Sequence, residues 1–292
     1  MKPMFARKTH RLRCGSRTLV LGRRTLVMGI LNVTPDSFFD GGKYLDSQAA
    51  VARAIEMEAS GADILDVGGE STRPGARPIS EEEELARVLP VIEGLRGRLR
   101  IPISLDTQHA TVAEAGIAAG AEILNDVSAL RTDPGIGEVA RHRRVPLILM
   151  HMRGKPATMQ RGPFARDTVR DVVTGLQGAL ARARRMGIPR TQIAVDPGIG
   201  FGKRHAQNFE LLAALRELAC LDCPIVVGAS RKAFIGWELA GHGQPLATEK
   251  RLFGTAATVA VAIFNGAHIV RVHDVEEMVQ VVRIADAIVA AA

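Results

Sequence analysis

The chain has 292 residues, 47% of them hydrophobic and 24% charged, and its 38 basic against 31 acidic side chains give a net charge of +7. That is an ordinary globular composition with enough apolar residues for a large core, so a disordered chain is excluded outside the ends. Length alone leaves open one domain or two, because single α/β barrels run to about 250 residues, and the basic surplus favours anionic partners while the 4% aromatic content argues against a stacking platform for nucleic acid.

From the N-terminus, Met1 to Arg13 is basic without an apolar core, a poor match to a signal peptide. No apolar run reaches about 18 residues, so no membrane span is expected and a cytoplasmic protein is the default. Residues 10–25, with Thr18, Leu19 and Val20 between Gly15 and Gly22, predict a small hairpin. From residue 26 onward short β-rich runs alternate with helical patterns. The predicted strands are Leu26–Leu31, Asp63–Val67, Pro102–Leu105, Glu122–Leu124, Pro146–Met150, Gln192–Val195, Pro224–Val227 and His268–Val270. Short, continuous Val/Ile/Leu runs suit a parallel sheet buried on both faces.

Between them, Leu85, Val88, Leu89 and Ile92 recur at helical spacing behind a Ser80/Glu83 capping box. Val169, Val172, Val173, Leu176 and Leu180 form a second stripe. Val275, Met278, Val279, Val282 and Ala285 form the last, opened by Asp274 with Glu277 three residues on. Eight strand–helix units suggest a (β/α)8 TIM barrel, with residues 1–25 as an N-terminal arm and β-hairpin and 26–292 as the barrel, although an open doubly wound sheet has the same periodicity. The three cysteines, Cys14, Cys220 and Cys223, are too few and too sparse for a disulfide framework. Cys220 and Cys223 form a C-x-x-C with no second pair to complete a zinc site, so they are expected to be structural or incidental.

In a barrel, chemistry sits at the C-terminal strand ends. Those ends carry Asn32, Asp66, Asp106, Asn125, His151, Asp196, Ser230 with Lys232, and Arg271 with His273. One such residue is only a turn former, but one at nearly every strand suggests convergence on a common mouth. Asp106, Asn125 and Asp196 suit a flat heterocycle rich in N–H donors and acceptors. Arg271, His273, Arg73 and Lys232 suit phosphate, and Asn32 offers a neutral oxygen to Mg2+ held mainly by phosphates and water. Two glycine-rich stretches, Gly68–Gly75 and Gly198–Lys203, follow the second and sixth strands. The latter is similar in outline to a phosphate loop but lacks the Gly-Lys-Ser/Thr ending.

The residues closely resemble the dihydropteroate synthase family. Matching blocks run in order from Met28–Gly42 through Asp66–Gly75, Ser104–Thr107, Leu124–Val127, Met150–Met152 with Pro156–Gln160, Asp196–Lys203, Gly228–Lys232 and Arg271–Asp274. The resemblance implies an α/β-barrel transferase of folate biosynthesis. It would join dihydropterin diphosphate to p-aminobenzoate, require Mg2+, form a homodimer and be a sulfonamide target. It implies a pterin pocket of Asp106, Asn125, Asp196 and Lys232 with Met150 and Phe201 beside the ring. It implies a diphosphate pocket of Thr72, Arg271 and His273, with Asn32 on the metal. The aminobenzoate site would comprise Arg73, Ser230, Lys232, Phe201, Thr72, Phe38 and Pro74, and the catalytic set would be Asp106, Asp196, Lys232 and Arg271. Small-molecule substrates are implied, with neither nucleic acid nor membrane as partner. Phe39 stands where Ser is frequent, Ile199 where Phe is, and Ala129-Leu130 replaces a frequent Gly pair. Two other readings are a pterin-binding methyltransferase to a corrinoid protein, which leaves Arg73 and Arg271 unexplained, and a non-catalytic paralogue, which leaves the full polar set unexplained.

Overall fold

The structure, a computed structural model, describes residues 7–34, 43–71, 75–154 and 158–292. It opens with a two-stranded antiparallel hairpin, β1 (His10–Cys14) and β2 (Arg17–Leu21). Strands and helices then alternate: β3 (Leu26–Asn32), α1 (Lys43–Ala59), β4 (Ile64–Gly68), α2 (Glu81–Leu95), β5 (Ile103–Asp106), α3 (Ala110–Ala119), β6 (Ile123–Asp126), α4 (Gly135–Arg143), β7 (Leu147–Met150), α5 (Thr168–Arg185), β8 (Ile193–Asp196) and α6 (His205–Ala213). The last units are β9 (Val226–Val227), α7 (Ala233–Ala240), α8 (Leu252–Phe264), β10 (Ile269–Val272) and α9 (Val275–Ala291). The eight strands from β3 to β10 form one parallel sheet, and a parallel bridge between Val195 and Ile225 joins its two edges into a nearly closed barrel. This selects the barrel over the open sheet. Between β9 and β10 the chain inserts two helices rather than one.

Alternation of side chains along each strand sorts the residues into two cores. Val27, Leu65, Val67, Leu105, Leu124, Leu147, Leu149, Val195, Val227 and Val270 point outward into the helix layer. Leu26, Met28, Ile64, Ile123, Ile148, Ala194, Val226 and Ile269 point inward. The inward set also includes Leu12, Cys14 and Leu21, so the hairpin packs its apolar face into the floor of the barrel. From the outer side, α9 buries all five residues of its predicted stripe. Each large apolar side chain buried this way contributes about 1.5–3 kcal/mol.

Local details depart from expectation where a charged partner wins. Ser80 caps α2 by accepting from the Glu83 N–H at 3.2 Å, but the Glu83 carboxylate turns to Arg87 instead of closing the box. Asp274 precedes α9 without capping it, because Arg231 Nε donates to its carboxylate at 2.9 Å. Ala129 and Leu130 occupy the left-handed region, with φ of 52° and 63°. A glycine pair would relieve that strain; here the Asp126 carboxylate compensates, accepting from Ser128 N at 2.7 Å and Leu130 N at 2.5 Å. Cys220 is exposed, Cys14 and Cys223 are buried, and all three are free thiols.

Candidate active site

Most predicted strands begin and end about one residue too early. The polar residues expected just past the strand ends are the last rungs of the ladder: Asp106 pairs with Asn125, Asp196 with Met150, and Asn32 with Gly68. Parity then fixes their direction. Asp66, Asp106, Asn125, Met150, Asp196 and Arg271 each lie two residues beyond Ile64, Ser104, Ile123, Ile148, Ala194 and Ile269, so they stand on the same inward face, one layer higher. Gly228 completes the ring above Val226. A Cβ there would lie 3.8 Å from Arg271 Cβ and 4.0 Å from Asp196 Oδ2, so any longer side chain would project between them.

At the centre is a fully buried carboxylate to which the sequence reading gave no role. Asp66 Oδ2 accepts from Arg271 Nε at 2.5 Å and from Asn125 Nδ2 at 3.1 Å, while Arg271 Nη2 donates to Asp106 Oδ2 at 2.7 Å. Arg271, Asp66, Asp106 and Asn125 are thus one network spanning four strands. Asp66 Oδ1 has no hydrogen-bond partner among the described residues, so an acceptor remains at the base of the mouth. Burial opposes the charge of Arg271, but Asp66 and Asp106 outweigh it and hold the guanidinium firmly protonated. Burial pushes the Asp106 carboxyl well above the usual carboxylate range, against the pull of Arg271. Asp196 is likewise raised by burial, opposed by the Gly198 N–H at 2.6 Å and by Lys232.

On the far side of the mouth Lys232 donates to the Ile199 carbonyl, and its Nζ lies 4.0 Å from the centre of the Phe201 ring. Burial lowers the Lys232 ammonium to about 7 despite the neighbouring Asp196. Phe201 packs with Val127, Met150 and Met152 in a small apolar wall. Ser230 Oγ accepts from the His273 N–H at 3.2 Å and lies 3.0 Å from its Nδ1. The structure therefore gathers Asp106, Asn125, Met150, Asp196, Phe201, Ser230, Lys232, Arg271 and His273 at the C-terminal strand ends. Asn32 ends β3 beside them, on the same parity as Met28 and Ile30. Phe38, Thr72, Arg73 and Pro74 lie outside the described residues.

The base of the loop after β4 is nevertheless held from below. Arg87 Nη1 donates to Gly69 O at 2.7 Å and Gln108 Nε2 to Glu70 at 3.2 Å. At the opposite, hairpin end of the barrel, Arg11, Arg13, Arg141, Arg143, Arg144 and Arg185 line a cleft with Glu138 as its one carboxylate among the described residues. Much of the positive surplus therefore sits away from the mouth, where Arg271 and Lys232 stand among the carboxylates.

These features define a (β/α)8 barrel whose mouth sets carboxylates and an amide against buried cations. Residues 28–273 match the family described as pterin binding enzyme. The dihydropteroate synthase of Synechocystis sp. is 48% identical over 267 residues, covering 91% of this chain and 91% of that protein. The structure of the Xanthomonas albilineans dihydropteroate synthase with 4-aminobenzoic acid superposes with a TM-score of 0.88 at 44% identity, covering 96% of this chain and 98% of that one. The Yersinia pestis dihydropteroate synthase in complex with a sulfonamide drug gives 0.89 at 42% identity, over 97% and 100% of the two chains. The chain belongs to the pterin-binding enzymes and, among them, to the dihydropteroate synthases.

Proposed function

We propose that this mouth condenses 6-hydroxymethyl-7,8-dihydropterin diphosphate with p-aminobenzoate, releasing dihydropteroate and diphosphate. The observation that carries the reading is the Asp66–Asp106–Asn125–Arg271 network beside Asp196 and Lys232. Asp106, Asn125 and Asp196 would grip the pterin edge, with Met150 and Phe201 against its faces. Arg271, His273 and Thr72 would hold the diphosphate. Ser230, Lys232, Phe201, Arg73, Thr72, Phe38 and Pro74 would form the aminobenzoate site. The C–O bond to the diphosphate breaks first, and the aminobenzoate amine then attacks the pterin methylene. Carboxyls held high by burial gain from positive charge beside them, so Asp106 and Asp196 favour the cation that develops in the ring. Arg271 stabilises the charge gathering on the departing oxygens. The direct test is production of dihydropteroate by the purified chain supplied with both substrates and Mg2+; folded protein that binds both substrates without making product would refute the reading.

The donor set fits Mg2+ as a substrate-borne ion. Among the described residues no group of three His, Cys, Asp or Glu side chains could cage a metal, whereas Asn32 offers one neutral oxygen at the mouth. Bound there, Mg2+ would neutralise charge on the diphosphate. Chelation should accordingly bring turnover close to zero, with recovery on adding Mg2+ back; undiminished turnover in excess chelator would contradict the role of Asn32.

Sulfonamides share the shape and anionic end of aminobenzoate and should raise its apparent KM without lowering the limiting rate. Inhibition that does not weaken with aminobenzoate concentration would place the drug elsewhere. The pH profile carries a further expectation. Lys232, lowered to about 7, is charged below that pH and loses its charge above it. The rate constant kcat/KM for the anionic pterin diphosphate should therefore decline above neutrality, and Lys232→Arg, whose charge persists, should lose that limb. An unchanged limb in the variant would assign it to another group.

We also propose a homodimer. Trp237 and Leu239 on α7, Phe253 and Val261 on α8, and Ile284 and Ile288 on α9 expose apolar surface on three successive outer helices, a pattern suited to a second copy. We propose a cytoplasmic location as well; no helix among the described residues is long and apolar enough to cross a membrane.

A further inference from the structure

The loop that carries Ile199 and Phe201 is pinned by a buried lysine outside the substrate-contacting set. Lys203 is 4% exposed. Its three ammonium protons meet three acceptors: Gly198 O at 2.8 Å, Phe201 O at 3.1 Å and His151 Nδ1 at 3.2 Å. Burial lowers the Lys203 ammonium to about 7; in that charged form it only donates, so Nδ1 accepts and the proton of the neutral imidazole sits on Nε2. Burial, with Lys203 beside it, lowers His151 to about 3, so the ring is neutral throughout the working range. His151 Nε2 faces Asp171 Oδ2 at 3.4 Å, and Arg153 Nη1 donates to the other oxygen of Asp171 at 2.8 Å. Asp171 stands on α5, so the chain of contacts runs from an outer helix through the end of β7 to the loop after β8.

The packing around this relay is too close to be incidental. A Cβ on Gly198 would lie 1.9 Å from His151 O, and one on Gly202 would lie 2.3 Å from Arg153 O; both residues also have φ near +65°. A Cβ on Gly175 of α5 would lie 2.5 Å from the His151 ring. The loop and the end of β7 are thus seated backbone to backbone, and the helix lies against the His151 ring.

We propose that Asp171, His151 and Lys203 form a positioning relay that fixes the carbonyls of the 198–203 loop and thereby sets Phe201 and Lys232 for substrate. The inference rests on the mouth being the substrate site proposed above. Lys203 touches the backbone of Gly198 and Phe201, and Lys232 takes its acceptor from Ile199 in the same loop. Losing the clamp therefore moves the cation and the ring together. A displacement of that kind, about 1 Å, costs on the order of 100-fold in kcat/KM.

The test compares wild type with Lys203→Met, Lys203→Arg and Asp171→Asn, measuring kcat and KM for each substrate and amide hydrogen exchange across residues 198–203. Lys203→Met should lower kcat/KM for both substrates on the order of 100-fold, through a higher KM as well as a lower kcat, and speed exchange at Gly200 and Phe201. Lys203→Arg should recover part of the loss, and Asp171→Asn should show the same pattern more weakly. A folded Lys203→Met enzyme with wild-type kinetics and exchange would overturn the relay, even if its melting temperature fell. Should Lys203→Met fail to fold, Asp171→Asn decides, and wild-type KM and exchange in it would overturn the proposal. A wild type unable to make dihydropteroate would sink the proposed function, and the exchange rates would still decide the clamp.

Discussion

Replacing Arg271 by alanine should lower kcat by about a thousandfold while also destabilising the fold. The catalytic loss follows from removing the cation placed where charge gathers on the departing diphosphate; deleting one such donor elsewhere costs roughly 100- to 1000-fold. The stability loss has a separate cause. Asp66 is fully buried and Asp106 nearly so, and both take hydrogen bonds from the Arg271 guanidinium. Without it two carboxylates share a water-poor layer with no cation between them, and breaking a buried pair in this way costs about 3–5 kcal/mol. Arg271→Lys keeps the charge but loses the fork that reaches Asp66 and Asp106 together, so it should recover stability more than activity. Steady-state kinetics and denaturant unfolding of the two variants check both halves. An alanine variant as stable and active as wild type would remove Arg271 from the centre of the site.

Asp66→Ala should be nearly as damaging, although Asp66 need not touch the reacting atoms. Its Oδ2 holds Arg271 and Asn125 at once, so its loss frees one cation and one amide that the pterin reading requires in fixed places. The expected result is a fall in kcat/KM for pterin diphosphate of about 100-fold, with KM for aminobenzoate at saturating pterin changing far less. Because Asp66 acts through Arg271, the two alanine substitutions should be strongly non-additive: the double variant should be little worse than Arg271→Ala alone. Additive losses would mean that Asp66 has an independent role, and Asp66→Ala kinetics equal to wild type would mean that it has none.

The fold was legible because its determinants are local and repeated. Short runs of β-branched and aliphatic residues separated by amphipathic stripes are what a sheet buried on both faces demands, and α9 shows the stripe buried residue for residue. Strand ends were read too early for a physical reason. Asp, Asn and Arg are poor strand formers on solvent-exposed sheets, but at a barrel mouth the last rung faces a polar cavity, and ladder hydrogen bonding extends through Asp106, Asn125 and Asp196. The same parity that hides them from propensity aims them inward.

Within the site, residue types and spacing located Asp106, Asn125, Asp196, Lys232 and Arg271 at the strand ends, yet not the way they bind one another. Asp66 was visible as a polar strand end, but its task depends on Arg271, 205 positions away, and no local pattern encodes that pairing. Lys203 was read as the end of a glycine-rich loop. Its burial and its link through His151 to Asp171 arise only when β7, β8 and α5 come together. The Glu83 half of the capping box at α2 and the cap expected from Asp274 at α9 failed on the same principle, since Arg87 and Arg231 supply stronger charged partners than a backbone N–H.

The most direct measurement is a crystal structure of the chain with dihydropteroate bound. The expected result is a pterin edge within hydrogen-bond distance of Asp106, Asn125 and Asp196, its ring against Met150, and its aminobenzoate end beside Ser230 and Lys232. Product seated elsewhere on the barrel, with Asp66, Asp106 and Arg271 still bound only to one another, would contradict it.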